Sequence, residues 1–326
     1  MSRKFLEIKP SNLSPNGIVS YKQGQPILRF DIGAQPALLY GESVRIVGEL
    51  NITRNGVDVP DAVNGSSLKI DSRTGIFGAF DTITISSTKT KQTLETIRHY
   101  NRLMSSMLPV ANSNNDLLSH FDNTALTCPS LDASRDGVVR DARTHSNQFC
   151  AFLQTGLLAG SGRPIPLSQD TLGGLSLELH LAPPSTFLFD ELGDASANGL
   201  LNADYTLSDV KLICEVEEMT EASPKMDGFE FNSVASYYST INSTNAQLNY
   251  SLGLSRVNSV FVNFIRSNYL NNLSQNSLQT MIPIRATGQI ADVNSVTFTK
   301  GGVRYPDSYV TDTNYKLDSD VSPVDP

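Results

Sequence analysis

The chain has 326 residues, a net charge of −8, 39% hydrophobic and 18% charged residues, enough for two cored domains or one very large one. No window concentrates Lys and Arg as recognition of a phosphate backbone requires, so direct nucleic-acid binding is not expected. No apolar run approaches the roughly 20 residues that cross a bilayer, and Met1-Ser2-Arg3-Lys4 leads into alternation rather than the apolar stretch of a signal peptide.

With 22 Gly, 16 Pro and no Trp, and with Ser, Asn and Thr filling the gaps between short apolar runs, the composition is that of a turn-rich all-β protein. Residues 1–25, broken by Pro10, Pro15, Gly17 and Gly24, read as an extended N-terminal arm. Strand patterning begins at Ile27–Ile32. It continues at Ser43–Thr53, which stops at the Asn55-Gly56 turn, at Leu68–Ile70, and at Ile76–Ser86. Beyond Ser87 the apolar period changes: Leu94, Ile97, Tyr100, Met104 and Met107 recur at helical spacing, predicting a helix over 89–108 that ends at Pro109. Its stripe is expected to be core, so Leu94→Asp would bury an unpaired charge. Asp116–Phe121 is a candidate for a further helical turn, and 122–147 is a long polar connection.

The middle of the chain carries the strongest strand signal. Leu175, Leu177, Leu179 and Leu181 alternate with Ser176, Glu178 and His180 until Pro183-Pro184 stops the run. Val210, Leu212, Cys214 and Val216 alternate with Lys211, Ile213, Glu215 and Glu217. Together these two runs imply an antiparallel sheet with one apolar face. Residues 220–228, with Pro224 and Gly228, form the expected linker. Strand patterning resumes at Phe229–Ser239, Ala246–Tyr250, Val257–Phe264, Met281–Ile284, Val293–Thr299 and Val303–Pro306. The acidic tail from Asp318 is expected to fray.

Catalytic constellations are not found. His99, His120, His145 and His180 lack metal-ligand spacing, so His99 reads as a helix-flank residue and His180 as a solvent-facing one. Asp132-Ala133-Ser134-Arg135-Asp136-Gly137 has the start of a calcium loop, but Arg143 stands where a bidentate Glu is needed. Gly156, Gly160 and Gly162, and Gly173-Gly174, lack the Lys-Ser/Thr of a phosphate loop and read as turns or bulges. No catalytic, cofactor-binding or metal residue is therefore assigned. Cys128, Cys150 and Cys214 are expected to be reduced, in a protein made inside a cell. The Asn-x-Ser/Thr triplets at Asn12, Asn51, Asn64, Asn242, Asn249 and Asn272 are expected to stay unmodified.

Several pieces occur in a telling order. Ile83–Ile85 is followed by Ile97-Arg98-His99-Tyr100-Asn101-Arg102-Leu103-Met104, then by Phe149–Leu153, Ile165-Pro166-Leu167, Leu175–Leu181 and Tyr205–Leu212. This order resembles the double jelly-roll major capsid proteins of tailless icosahedral DNA viruses, the group of virophages, polinton-like viruses and nucleocytoplasmic large DNA viruses. The resemblance covers most of residues 27–219. It implies two eight-stranded β-sandwich barrels side by side, with one helix inserted in the first: an N-terminal arm (1–25), a first jelly roll (26–219), a linker (220–228) and a second jelly roll (229–326). Residues 229–326 are too few for a full second barrel, which needs roughly 150 to 200 residues. That barrel therefore reads as truncated or abbreviated.

The resemblance further implies a non-enzymatic shell protein of the virion. It would form homotrimers that serve as pseudo-hexameric capsomers, tile an icosahedral shell and meet penton or minor capsid proteins. The polar, Pro/Gly-broken arm is expected to contact other capsomers or the inner face of the shell, and the loops 122–147 and 183–204, too long for simple hairpin connections, to be ordered mainly by neighbouring subunits. The competing expectation is a β-sandwich attachment or carbohydrate-binding protein, weakened by the absence of Trp from which sugar platforms are often built.

Overall fold

The structure is a computed structural model that describes residues 2–13, 17–22, 24, 26–54, 57–58, 68–71, 74–111, 125, 148–159, 162–189, 203–219, 230–242, 247–250, 257–262, 264–265, 267–278, 295–300 and 302–311. Alternating runs become strands β1 (Ser2–Ile8), β2 (Val19–Ser20), β3 (Ile27–Gly33), β4 (Ala37–Arg54), β5 (Val57–Asp58), β6 (Lys69–Ile70), β7 (Phe80–Ser87) and β8 (Thr93–Arg98). Helix α1 (Tyr100–Ala111) follows, then β9 (Gln148–Phe152), β10 (Ile165–Pro166), β11 (Gly174–Leu181), β12 (Leu188–Phe189), β13 (Ala203–Glu218), β14 (Ser295–Lys300) and β15 (Val303–Thr311).

Among the described residues the main strands build two sheets. One runs β1-β13-β4-β10, with β2 on β13 and with β5 and β9 on β4; the other runs β3-β11-β7-β8. All their pairings are antiparallel, and they nest: β1 with β13, β3 with β11, β4 with β9, β7 with β8. A long hairpin rolled up so that its ends meet produces this nesting, with successive strands passing between the two sheets. That is the strand order of a jelly roll. The two runs with the clearest alternation, β11 and β13, are not partners but central strands of opposite sheets. Their inward residues Leu175, Leu177, Leu179, Leu207, Leu212, Cys214 and Val216 meet across the sandwich with Leu28, Phe30, Leu39, Ile46, Ile83 and Ile85, all fully or almost fully buried.

Two register breaks shape β13. Asp209 and Val210 stand against the single residue Gly48, because Ser208 faces Glu49 and Lys211 faces Val47. Asp209 takes φ +49°, a left-handed conformation that Asp tolerates better than most residues. Gly48 is required there, since a Cβ would lie 3.0 Å from the Ser208 carbonyl oxygen and from the Phe149 ring. Further along, the β4 chain bows out between Tyr40 and Arg45, and the Ser43 hydroxyl accepts the Glu215 N–H at 2.8 Å in place of a ladder bond.

The structure corrects several expectations. Ser2–Ile8 is not an arm but a strand, paired over seven residues with Leu212–Glu218. Its Leu6 and Ile8 pack partly against the core, an alternation hidden by the charged Arg3, Lys4 and Glu7 beside them. The helix does not begin at 89. Thr93–Arg98 is the edge strand β8, and only Tyr100–Ala111 is helical, running past Pro109. Leu94 and Ile97 therefore belong to a strand, and Tyr100 and Met104 to the helix; the sum of a strand and a helix, turned at His99, mimicked one helical stripe. Ile76–Ala79 is likewise a 3-10 turn preceding β7.

Ile97 is fully buried while Leu94 is partly buried. Ile97→Asp is therefore expected to abolish soluble expression, and Leu94→Asp to lower it less, as judged by yield and by urea unfolding. Equal tolerance of both substitutions would show that β8 is not core.

The second half also departs from expectation. The described parts of 229–264 carry no strand, and Met281–Ile284 and the 220–228 linker lie outside the described residues. Residues 276–278 dock on the first jelly roll. Leu278 is buried with its Cδ1 2.8 Å from where a Cβ at Gly78 would stand, Asn276 donates to Asp71 at 2.6 Å, and Arg102 donates to the Ser277 carbonyl at 2.8 Å. The expected strands at 293–299 and 303–306 do form, as the hairpin β14–β15. In the loop expected at 183–204, Pro184–Phe187 makes one helical turn and β12 pairs with β6 of the same chain, burying Phe187, Leu188 and Phe189. Those residues need no neighbouring subunit to be ordered.

Candidate assembly surface

The outer face of the seven-stranded sheet is polar and aromatic. Strand pleating places Arg3, Phe5 and Glu7 of β1, then Lys211, Ile213, Glu215 and Glu217 of β13, then Tyr40 and Arg45 of β4, and then Cys150 and Phe152 of β9 on that one face. The Arg3 guanidinium lies 4.5 Å over the Tyr40 ring, donates to the Tyr40 hydroxyl at 3.1 Å and reaches Glu215 at 3.4 Å. Tyr40 in turn donates to Glu217, a bond that raises the pKa of its phenol. Lys211 pairs with Glu7 at 2.8 Å. The Arg45 guanidinium sits 5.7 Å from both the Phe5 and Phe152 rings, tying β1 to β9 across the sheet. Around Phe5 and Tyr40 on this face Arg3, Arg45 and Lys211 balance Glu7, Glu215 and Glu217, while Glu49 of β4 and Asp204 of β13 add negative charge farther along it. Its solvent-exposed ion pairs add little stability individually; what they provide is a locally neutral, structured surface.

A second surface forms where residues 230–242 cross the β8 edge. Glu95, only 3% exposed, points inward from β8. Its carboxyl oxygens accept the N–H groups of Gly156 at 3.1 Å, Leu157 at 2.9 Å and Val234 at 2.8 Å. One side chain thus holds the turn after β9 and the crossing segment together. Gly156 allows the close approach: a Cβ there would lie 2.6 Å from the Asn232 carbonyl oxygen. Ser236 accepts the Arg98 N–H at 3.0 Å, and Tyr238 stacks on His99 with ring centroids 5.3 Å apart. Beyond this anchor, Tyr237, Ile241, Tyr250 and Phe261 are exposed, and the Tyr237 and Tyr250 rings lie 5.3 Å apart.

The sequence reading assigned no role to Glu95. The strand alternation Glu95–Ile97, which places it on the inner face, is hidden when the stretch is read with a helical period. His99 is not on a helix flank but at the β8–α1 corner, with φ +55° and its Nδ1 3.5 Å from Asp81. His180 is on the outer side of β11. His120, His145, Cys128 and the 132–143 loop lie outside the described residues. Gly173 and Gly174, with φ +61° and +93°, form the tight entry to β11. Cys150 and Cys214 are thiols rather than disulfide partners. Among the described residues no group of three or more His, Cys, Asp or Glu is arranged to hold a metal ion, and no helix is long and apolar enough to cross a membrane.

Burial alone would raise the Asp81 pKa, but bonds from His99 and Thr82 and the charges of His99 and Arg102 hold it below the ordinary carboxylate range. A carboxyl depressed on folding contributes stability above its unfolded value, about pH 4, and loses it as pH falls through the folded value. Asp81→Asn is therefore expected to flatten the acid limb of the urea-midpoint profile below about pH 4. Parallel losses in variant and wild type would rule out Asp81 as a contributor.

No protein-family model matches the chain, and no curated protein does. Among solved structures, the chain is similar to the quasi-atomic model of the PBCV-1 virus capsid, with 12% identity over 66% of this chain and 42% of that one, TM-score 0.38. It is also similar to the Sputnik virophage structure determined by cryo-EM, with 9% identity over 69% of this chain and 49% of that one, TM-score 0.40. The PBCV-1 VP54 crystal structure fitted into a Sputnik reconstruction gives 11% identity over 67% of this chain and 43% of that one, TM-score 0.36. The chain spans less than half the length of each.

Proposed function

We propose that this chain is a non-enzymatic capsid protein that trimerises into pseudo-hexameric capsomers and tiles an icosahedral shell in the virion, meeting neighbouring capsomers and penton or minor capsid proteins. The observation that carries this reading is the nested jelly-roll strand order of residues 2–218 with a helix between β8 and β9, which coincides with the element order read from the sequence. A sandwich of this kind is a rigid block whose sheet faces and edge loops can be devoted to neighbours. In this reading, residues 229–326 supply part of a second barrel, of which β14–β15 is one hairpin. Jelly rolls also serve as lectins and enzymes, and assembly is what distinguishes a shell protein from these. Electron microscopy and mass measurement of the purified protein test it: trimers and pseudo-hexagonal capsomers are the expected result, and a strict monomer at all concentrations would overturn it.

One observation favours the carbohydrate-binding alternative. Tyr237, Tyr238 and Tyr250 are 52%, 59% and 47% exposed, a cluster of aromatic faces of the kind that stack on sugars. Glycan-array binding lost on Tyr237→Ala and Tyr250→Ala would establish that reading instead.

A further inference from the structure

β1 ends its sheet: its inner edge pairs with β13, and no described strand pairs with the other. The two edges of the four-stranded sheet are treated differently. On β3, Ser11 donates to the Arg29 carbonyl at 2.7 Å, and Asn12 both donates to Ile27 at 2.7 Å and accepts from Arg29 at 2.9 Å. On β8, residues 230–242 lie along the edge, with Ser236 bonded to Arg98. An uncovered seven-residue strand is a template for another strand.

Which strand fits follows from the order Ser2-Arg3-Lys4-Phe5-Leu6-Glu7-Ile8. An antiparallel copy in full overlap places Phe5 against Phe5 on a two-fold axis, Arg3 against Glu7 on either side, and Ser2 against Ile8. Arg3, Phe5 and Glu7 share the outer face, so the pairs are directly opposed, opposite charges facing each other and aromatic facing aromatic. Phe5 is 65% exposed, more than any other large apolar side chain described, and this register covers it. The Arg45 guanidinium already lies over that ring. We infer that β1 is a two-fold contact at which two copies of this chain join their seven-stranded sheets edge to edge through antiparallel β1–β1 pairing centred on Phe5. The contact is isologous and closes after two copies. An edge of this length buries less than the roughly 1,000 Å² of a stable interface, so the dimer is weak and its population rises with protein concentration.

Disulfide trapping reads such a joint directly, in full-length chain with Cys128 and Cys150 changed to Ser. Cys214 stays in place, because it is buried and its thiol is pushed up to about 11 by desolvation. Opposed residues on the axis have Cβ atoms about 5 Å apart, whereas two copies of residue 7 would stand about 13 Å apart along the strands. Phe5→Cys is expected to form a covalent dimer at least about tenfold faster than Glu7→Cys. Sedimentation of the otherwise unaltered chain is expected to show a concentration-dependent dimer that Phe5→Lys removes while its circular dichroism stays unchanged. Equal trapping rates at positions 5 and 7, or a dimer indifferent to Phe5→Lys, would overturn the pairing. The inference does not rest on the shell reading: β1 dimers without trimers, or trimers without β1 dimers, separate the two.

Discussion

Replacing Glu95 by alanine is expected to destabilise the protein by about 4 kcal/mol, because it strands the buried N–H donors of Gly156 and Leu157 and takes the acceptor from the half-buried N–H of Val234. The donors of Gly156, Leu157 and Val234 all converge on this one carboxyl group, so no neighbouring acceptor can take over without moving a chain segment. Glu95→Gln keeps one acceptor oxygen but turns an amide N–H₂ toward backbone donors, and about 2 kcal/mol of loss is expected. The two effects separate in urea unfolding read at constant m-value. Hydrogen exchange adds the location: in Glu95→Ala, amides of 154–158 and 230–236 are expected to lose protection together while the centre of β11 keeps its own. Loss confined to one segment would show that Glu95 does not couple them.

The second large effect is expected at the entry to β11. Gly174 has φ +93°, and a Cβ there would lie 2.3 Å from the Ile32 carbonyl oxygen. Both the backbone conformation and the space exclude a side chain, and the obstacle is main chain of the adjoining strand, which cannot turn aside as a side-chain end could. Gly174→Ala is therefore expected to cost about 3 kcal/mol or more. Its paired residue on β3 is Gly33, whose added Cβ would meet nothing within 4 Å. Gly33→Ala is expected to stay within about 0.5 kcal/mol of the parent chain. Matching unfolding midpoints for the two variants would show that the β11 entry is not built on a glycine-only turn.

Alternation alone located β3, β4, β11 and β13, because each has one face against the apolar core and one toward solvent, and that contrast is written at every second residue. Phe30, Ile46, Leu177 and Leu212 announce their burial without reference to any partner. Turn chemistry at Pro183-Pro184 and Gly173-Gly174 likewise bounds β11 from local residues. β1 escaped notice because an edge strand buries only Leu6 and Ile8 partly, so charge outweighs pattern there. The Leu94–Met107 stripe misled because a strand and a helix joined at His99 happen to sum to a helical period.

What no local pattern could supply is which strand lies beside which. The nested pairing of β1 with β13 and of β3 with β11 joins residues nearly the whole length of the first jelly roll apart. It is decided by how the two apolar faces can be closed over each other. The same closure brings Glu95 to backbone donors of residues 156, 157 and 234, and Arg45 between Phe5 and Phe152. Sequence determined the strands, since burial of a side chain is a property of its own strand's pleat. The tertiary structure decided the joints, since a hydrogen bond or a stacked ring is a property of two segments at once.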